Sequence, residues 1–324
     1  MTVVEVSARM AGTWLGGRFR LDERISVAEY GGGSEHVGGS GEAIGDGLSR
    51  WKATDELLGR PVTVYLLPAE CPVPPIVTGA VQAAAKVSDP RLATIYDTDF
   101  SGGCPYIVSE WAPGTPLEDL VLSGLPTPAL AAAMIADAAD ALAVAHRAGL
   151  PHLRLSLRSL RWDNRRGLKI TGLGVDAALF GPALGGPDAD DPMVADTRAL
   201  ARMLYALLTG CWPGEEAPAL PRAPRHKGQV CTPRQLQDGL PALLDAITYR
   251  ALQGQAPDAP ARPLTPAGLA LALRGVQRPS RQRSGPPGEL TCLPGRASSS
   301  RRRARHARTR AGLGPRSALL RAAI

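Results

Sequence analysis

Phosphate cradles, metal sites and proton shuttles each demand particular side chains at particular spacings, and few stretches of this chain offer them. The segment GGGSEHVGGSGEAIGDG (31–47) has enough glycine to bring backbone N–H groups against a phosphate, with Gly39, Gly41 and Gly45 in the order G-x-G-x-x-x-G. That spacing is one residue longer than the phosphate-covering loop G-x-G-x-x-G. The segment therefore reads as a flexible insertion, with residual phosphate contact as the sharper alternative. Asp188, Asp190 and Asp191 in GGPDADDP could hold a hard divalent cation, but acids beside Gly and Pro read more simply as a solvated loop. His146 and His152 straddle a turn and read as packed rather than metal-ligating, and Trp212 in CWPG reads as core. Cys71, Cys104, Cys211, Cys231 and Cys292 form no C-x-x-C pair, so neither a zinc site nor a disulfide framework has its usual spacing, and a reducing cytosol fits.

The elements that would position such residues fall in two blocks. Short runs with β-branched and aromatic residues, bounded by Gly, Pro and Asp, predict strands over 17–25, 48–55, 61–68, 92–100 and 105–111. PIVTGAVQAAAKVSD, between the third and fourth, predicts one helix. Beyond Gly114 the period becomes helical. Thr127 is an N-cap with Pro128 at the first helical position, Leu130, Met134, Ala138 and Leu142 share a face, and Gly149 closes the helix. Leu200, Met203, Leu204, Leu207 and Leu208 mark a second helix ending at Gly210. Leu236, Leu240, Leu243, Leu244 and Ile247 mark a third, and a fourth starts at Thr265–Pro266 and ends near Gly275.

Charge is unevenly placed. The 324 residues carry a net +7, but twelve of the 37 basic residues and only one of the 30 acids lie in 277–324, so that segment holds +11 and the rest −4. A tail rich in Arg, Ser, Gly and Pro predicts disorder and sequence-independent attraction to anions. The remainder, in a chain 44% hydrophobic, can bury a sizeable core. No signal-peptide pattern and no run of 18 apolar residues occurs, which predicts a soluble chain without a membrane span.

A small sheet with one helix, followed by a helical lobe, is the outline of a protein kinase, and particular strings sharpen it. FRLDERI, WKATDELLGRPVTVYLL (51–67), YIVSEWAPGTPLEDL (106–120), ALAVAHRAGLPH (141–152), DTRALARMLYALLTGCWPG (196–214) and RALQGQAPDAPARPLTPAGLALAL (250–273) resemble, in order, the first strands, hinge, catalytic-loop approach, central helix and closing helices of bacterial serine/threonine kinases. The resemblance implies an α+β, two-lobed kinase-like fold. An N-terminal extension (1–16) would precede an N-lobe of five strands and one helix (17–111, with the insertion 31–47). A larger, mainly helical C-lobe (112–276) and the basic tail (277–324) would follow.

Phosphoryl transfer in that family rests on positioned charges: a Lys on the phosphates, a Glu holding it, an Asp beside the attacking hydroxyl, and an Asp and Asn on magnesium. Where VAIK is expected the chain reads Val62-Thr63-Val64-Tyr65, so Tyr65 takes the lysine position, and no acid lies between Ile76 and Val87. HRDLKPxN aligns with 152–159, placing Arg154 at the catalytic Asp, Ser156 at the Lys and Ser159 at the Asn; DFG aligns with Gly172-Leu173-Gly174. An arginine cannot accept a proton, and a glycine holds no metal. Lys52 lies on the strand from which a lysine reaches the phosphates in one unusual kinase group, yet a basic residue there is ordinary. The surviving matches, His152, Asp196 and Arg262, are scaffold positions, although the APE motif that Arg262 would serve is missing. No metal site is expected, and any nucleotide binding is expected to be weak, at the hinge near Glu110 and Trp111.

WKATDELLGRPVTVYLLP, AHRAGLPHLRLS, ITGLGVDAALFG and ADTRALARMLYALLTGCWPG are similar to actinobacterial pseudokinases associated with the lipid II flippase of peptidoglycan synthesis. That resemblance implies a noncatalytic regulatory module, with the flippase or a forkhead-associated phosphopeptide reader as partner, in the cytoplasm at the inner face of the membrane. Such proteins commonly continue into a transmembrane helix, whereas here the arginine-rich tail follows; a basic arm, a truncation and a shifted frame all stay open. Two competing readings are a divergent kinase with residual ATP binding and an anionic-surface or nucleic-acid binder acting through the tail. Tyr65, Arg154 and Gly172 favour the noncatalytic reading over the divergent kinase, and the absence of aromatics among the tail arginines leaves base stacking unsupported.

Overall fold

In the computed structural model, residues 11–25, 48–68, 73–101, 103–182, 191–215, 219–253 and 265–277 are described. The chain divides into two units, Met1–Pro279 and Ser280–Ile324, and every described residue belongs to the first.

Alternation along one strand sorts the N-terminal sheet into two faces. The strands are β1 (Trp14–Leu15), β2 (Phe19–Ile25), β3 (Ser49–Asp55), β4 (Arg60–Leu66), β5 (Ile95–Asp99) and β6 (Tyr106–Glu110), with α1 (Pro75–Ala84) between β4 and β5. They pair antiparallel in the order β1-β2-β3-β4-β6-β5. From β4, Val62, Val64 and Leu66 join Phe19, Trp51 and Val108 on one face, while Tyr65 points to the other, toward α1 and the main core. The five expected strands are present, and β1 adds a sixth at the edge. Two residues are too short to carry a periodic signal.

The connection to the C-terminal lobe passes β7 (Thr115–Pro116) and α2 (Leu117–Ser123). Gly114 has φ +94°, and a Cβ there would overlap the Trp162 carbonyl, so only glycine lets the chain cross at this height. β7 pairs with β8 (Leu160–Asp163), which pairs with β9 (Gly167–Ile170), and this small sheet carries the catalytic-loop region. α4 (Val175–Phe180) follows β9 at once and packs against α1.

The lobe's centre is α3 (Pro128–Arg147), which opens where expected, the Thr127 hydroxyl oxygen accepting from the Leu130 N–H at 3.3 Å. Its buried alanines let α5 (Pro192–Thr209) and α8 (Pro266–Gln277) approach closely, with Met134, Ile135 and Leu142 filling the gaps. α3 is long and apolar enough to cross a membrane by composition; here most of that surface is buried against neighbouring helices. The hairpin β10 (Arg225–His226) and β11 (Gln229–Val230) follows α5. The third expected helix is two, α6 (Pro233–Leu236) and α7 (Ala242–Gln253), because Gly239 at φ +81° and Pro241 interrupt it at Leu240.

Candidate functional site

The cleft between the lobes collects the residues that the sequence aligns with catalytic positions. Tyr65 is 1% exposed, and its hydroxyl donates to Asp176 Oδ1 at 2.9 Å. Asp176 lies on the first turn of α4 and is itself buried. The turn before it contains Gly172 at φ +79°, where a Cβ would overlap the Asp176 carboxylate. A carboxylate thus fills the space a side chain at 172 would need. Sequence reasoning missed Asp176, since it lies four residues from the motif position and its partner is far along the chain.

Arg154 occupies the base position and acts as a clamp. Its Nη1 donates to the carbonyls of Phe180 at 3.2 Å and Gly181 at 2.9 Å, at the C-terminal end of α4, and its guanidinium lies 5.4 Å from the Phe180 ring centroid. A cation at a helix C-terminus is favoured by the aligned peptide dipoles. Burial nonetheless pushes the Arg154 pKa down, with the Asp176 charge acting against that shift.

Ser159, at the asparagine position, is fully buried and closed in a turn. Its hydroxyl donates to the Ser156 carbonyl at 2.8 Å and accepts from the Ser156 N–H at 2.8 Å. The Ser159 carbonyl in turn accepts from the Thr171 N–H at 2.9 Å. Arg158 reaches the other way, pairing with buried Glu118 on α2, whose second oxygen accepts from the Ala219 N–H at 2.8 Å.

The scaffold residues converge on Asp196. Its buried carboxylate accepts from the N–H groups of His152 and Leu153, both at 2.8 Å, and lies 2.7 Å from His146 Nε2. Leu153 has φ +59°, a conformation a branched residue adopts only when held there. His152 Nδ1 accepts from the Arg154 N–H, which leaves Nε2 to donate to the Thr171 carbonyl at 2.9 Å. Both histidines therefore serve one carboxylate and the loop. Asp191 caps α5, its Oδ1 accepting from the Met193 N–H at 2.9 Å. Asp188, Asp190, the segment 31–47, Arg262 and 278–324 lie outside the described residues. Among the described residues no group of three potential metal ligands comes together.

The cleft itself has a volume of about 350 Å³. Arg24, Arg50, Arg158 and Arg161 line it, with Glu23 and Asp119 as the acids. Trp111 forms part of the wall, its indole flanked by Lys52 at 5.2 Å and Arg161 at 5.7 Å. Glu110 does not face the cleft, since its carboxylate pairs with Lys169 Nζ at 2.7 Å. Lys52 is accordingly engaged with the indole.

ATP and magnesium are what this architecture implies, and the donor set does not fit a magnesium nucleotide. Ser159 is closed in its turn and Gly172 offers no oxygen from its side chain. Asp176, the carboxylate nearest the Gly172 position among the described residues, accepts from Tyr65. A hard dication needs several oxygens in near-octahedral array.

The fold and cleft are those of a two-lobed protein kinase-like protein. No family model matches the chain. It is 30% identical over 195 residues to the serine/threonine-protein kinase PknB of Mycobacterium tuberculosis, covering 53% of this chain and 31% of that protein. It is 28% identical over 178 residues to PknA of the same organism, covering 52% and 37%. The chain thus spans about a third of the length of these curated relatives. Among solved structures, a point mutant of the PknI kinase domain of M. tuberculosis superposes with a TM-score of 0.59 at 16% identity, covering 83% of this chain and 98% of that one. Over about half its length the chain is similar in sequence to bacterial serine/threonine protein kinases, and it has the kinase-like fold.

Proposed function

We propose that this protein is a noncatalytic member of the kinase-like class, a regulatory docking protein rather than a phosphotransferase. The observation that carries this reading is that three aligned catalytic positions hold side chains engaged in the fold. Tyr65 bonds Asp176, Arg154 clamps α4, and Ser159 closes the 156–159 turn. A general base contributes about 10²–10⁴ in rate, and metal and oxyanion stabilisation add further orders. The competing reading, a divergent kinase, would have to use carboxylates other than those of the aligned motif positions, with Asp176 the nearest of them among the described residues.

The test is phosphate incorporation from radiolabelled ATP into the protein and a generic substrate, alongside thermal shifts with ATP with and without magnesium. Neither incorporation nor a magnesium-dependent shift is expected. Incorporation that Asp176→Asn abolishes would establish the divergent kinase instead.

The similarity to flippase-associated pseudokinases supports a role at the cytoplasmic face of the membrane in peptidoglycan synthesis. Its partner would be a lipid II flippase or a forkhead-associated phosphopeptide reader. Residues 17–275 used as bait should recover such components, and recovery of none would leave the fold without that role. Ser298, Ser299 and Ser300, flanked by Arg296 and Arg301, suit a basophilic kinase.

A further inference from the structure

The β10–β11 hairpin stands out by charge from the rest of the fold. Residues 1–276 carry a net −4, yet 217–237 contain Arg222, Arg225, His226, Lys227 and Arg234 and no acid. We propose that this hairpin is the face the protein turns to a membrane surface rich in anionic lipid. Arg222 and the run Pro224–Gln229 are exposed. Successive residues of a strand alternate sides, so Arg225 and His226 leave β10 in opposite directions, with Lys227 in the turn. Charges spread in that way do not converge on one compact anion. They suit a plane of headgroups, where each cation near the surface adds to binding.

Lys227 has φ +50° and Gly228 φ +80°, the left-handed pair that a two-residue hairpin turn requires. Asn, Asp or Gly usually takes the first of these positions, and a long side chain there carries strain. The strained residue places an ammonium at the tip of the hairpin. Arg225 Nη1 donates to the Gly228 carbonyl and Arg222 Nη2 to the Glu215 carbonyl, both at 3.2 Å, and neither of them nor Lys227 forms an ion pair among the described residues. On α7, Arg250 is exposed one turn before Gln253, whose Nε2 donates to Gln229 Oε1 at 3.2 Å, so a further cation stands beside the hairpin. Asp245, the acid of α7, is turned to the Arg234 N–H at 2.9 Å.

The base of the hairpin is fixed. The Cys231 N–H donates to the Pro224 carbonyl at 2.9 Å, and the Cys231 carbonyl accepts from the Tyr205 hydroxyl of α5 at 2.8 Å. Trp212 brackets the approach, its N–H donating to the Pro221 carbonyl and its carbonyl accepting from the Ala223 N–H, both at 2.8 Å. The cations are therefore presented in one orientation relative to the core. So few of them do not hold a protein on a membrane unaided. The +11 of 277–324 adds attraction of the same sign, and the hairpin decides which face of the folded part meets the lipid. None of Arg222, Arg225 and Lys227 lines the interlobe cleft, so this orientation holds whether or not that cleft performs chemistry, and it needs none of the protein partners named above.

The test is acetylation of the full chain by acetic anhydride, read lysine by lysine by mass spectrometry, with phosphatidylcholine vesicles, with vesicles that also contain phosphatidylglycerol, and without lipid. Lys86 and Lys227 are the exposed lysines, Lys52 lying against Trp111 and Lys169 against Glu110. The phosphatidylglycerol vesicles are expected to slow labelling of Lys227 at least about threefold and to leave Lys86 unchanged. R222Q/R225Q, which keeps Lys227, should lose most of that shielding. Persistent shielding in the variant, slowing of both lysines alike or of neither, or equal shielding by phosphatidylcholine alone would overturn the proposal. Soluble polyglutamate that shields Lys227 as well as the vesicles do would assign the face to an acidic protein segment and overturn the lipid. Should R222Q/R225Q fail to fold, the contrast between Lys227 and Lys86 in the wild type carries the test.

Discussion

Tyr65 and Asp176 are 111 residues apart in the chain, and their hydrogen bond joins the N-terminal sheet to the first turn of α4. Tyr65→Phe keeps the ring and removes only the donor, leaving a buried carboxylate short of a partner. Urea denaturation should show a loss of about 1–3 kcal/mol. Gly172→Asp, which writes the missing metal ligand back, is expected to fail. The new side chain would overlap Asp176 and must adopt φ +79°. Backbone strain and overpacking together predict a loss of about 2–4 kcal/mol, without any gain in phosphate transfer. The double variant G172D/D176A should recover part of the melting temperature, because the clash is gone while the strain remains. A double variant no more stable than G172D would show that Asp176 does not fill that space.

Two loops at element ends are pinned by carboxylates held below their ordinary range. The side-chain hydrogen bond from Arg18 lowers the Asp55 pKa at the end of β3, and that from Arg91 lowers the Asp89 pKa ahead of β5. Each charged form is favoured by the folded state. The stability it confers is whole above the unfolded value near 3.8 and is lost as pH falls through the lower folded value. Melting temperatures of the wild type and R91A should differ at neutral pH and converge between about pH 4 and pH 2. A constant gap would show that Arg91 acts through the Asp137 carbonyl it also reaches. At this scale much was legible beforehand. Thr127 and Pro128 opened α3, and the strand runs fell where β2 to β6 lie, because caps and alternation are local signals. β1, β7 and the break at Gly239–Pro241 were missed because two-residue strands have no period and the leucine spacing ran on across the break. The candidate site was legible as a set of substitutions. What replaces the lost groups was not, since Asp176, Glu118 and Arg161 find their partners only through the tertiary fold.

Across the whole chain, charge and fold part company. The described residues carry the interlobe cleft, whereas the surplus of +11 belongs to 277–324. Deleting 277–324 should abolish salt-sensitive retention on heparin or acidic vesicles and leave the melting temperature unchanged. Unfolding on deletion would place part of that segment in the core.

Gly172, Asp176 and Tyr65 also constrain the order in which substitutions can be accepted. Gaining an acid at 172 first meets the carboxylate already there, removing Asp176 first strands the Tyr65 hydroxyl in the interior, and changing Tyr65 first strands the carboxylate. Every single step toward a metal-holding arrangement passes through a less stable protein, so the three positions form a ratchet with sign epistasis. In a library varying all three together and sorted for folded protein, substitutions at 172 and 176 should be recovered as pairs rather than singly.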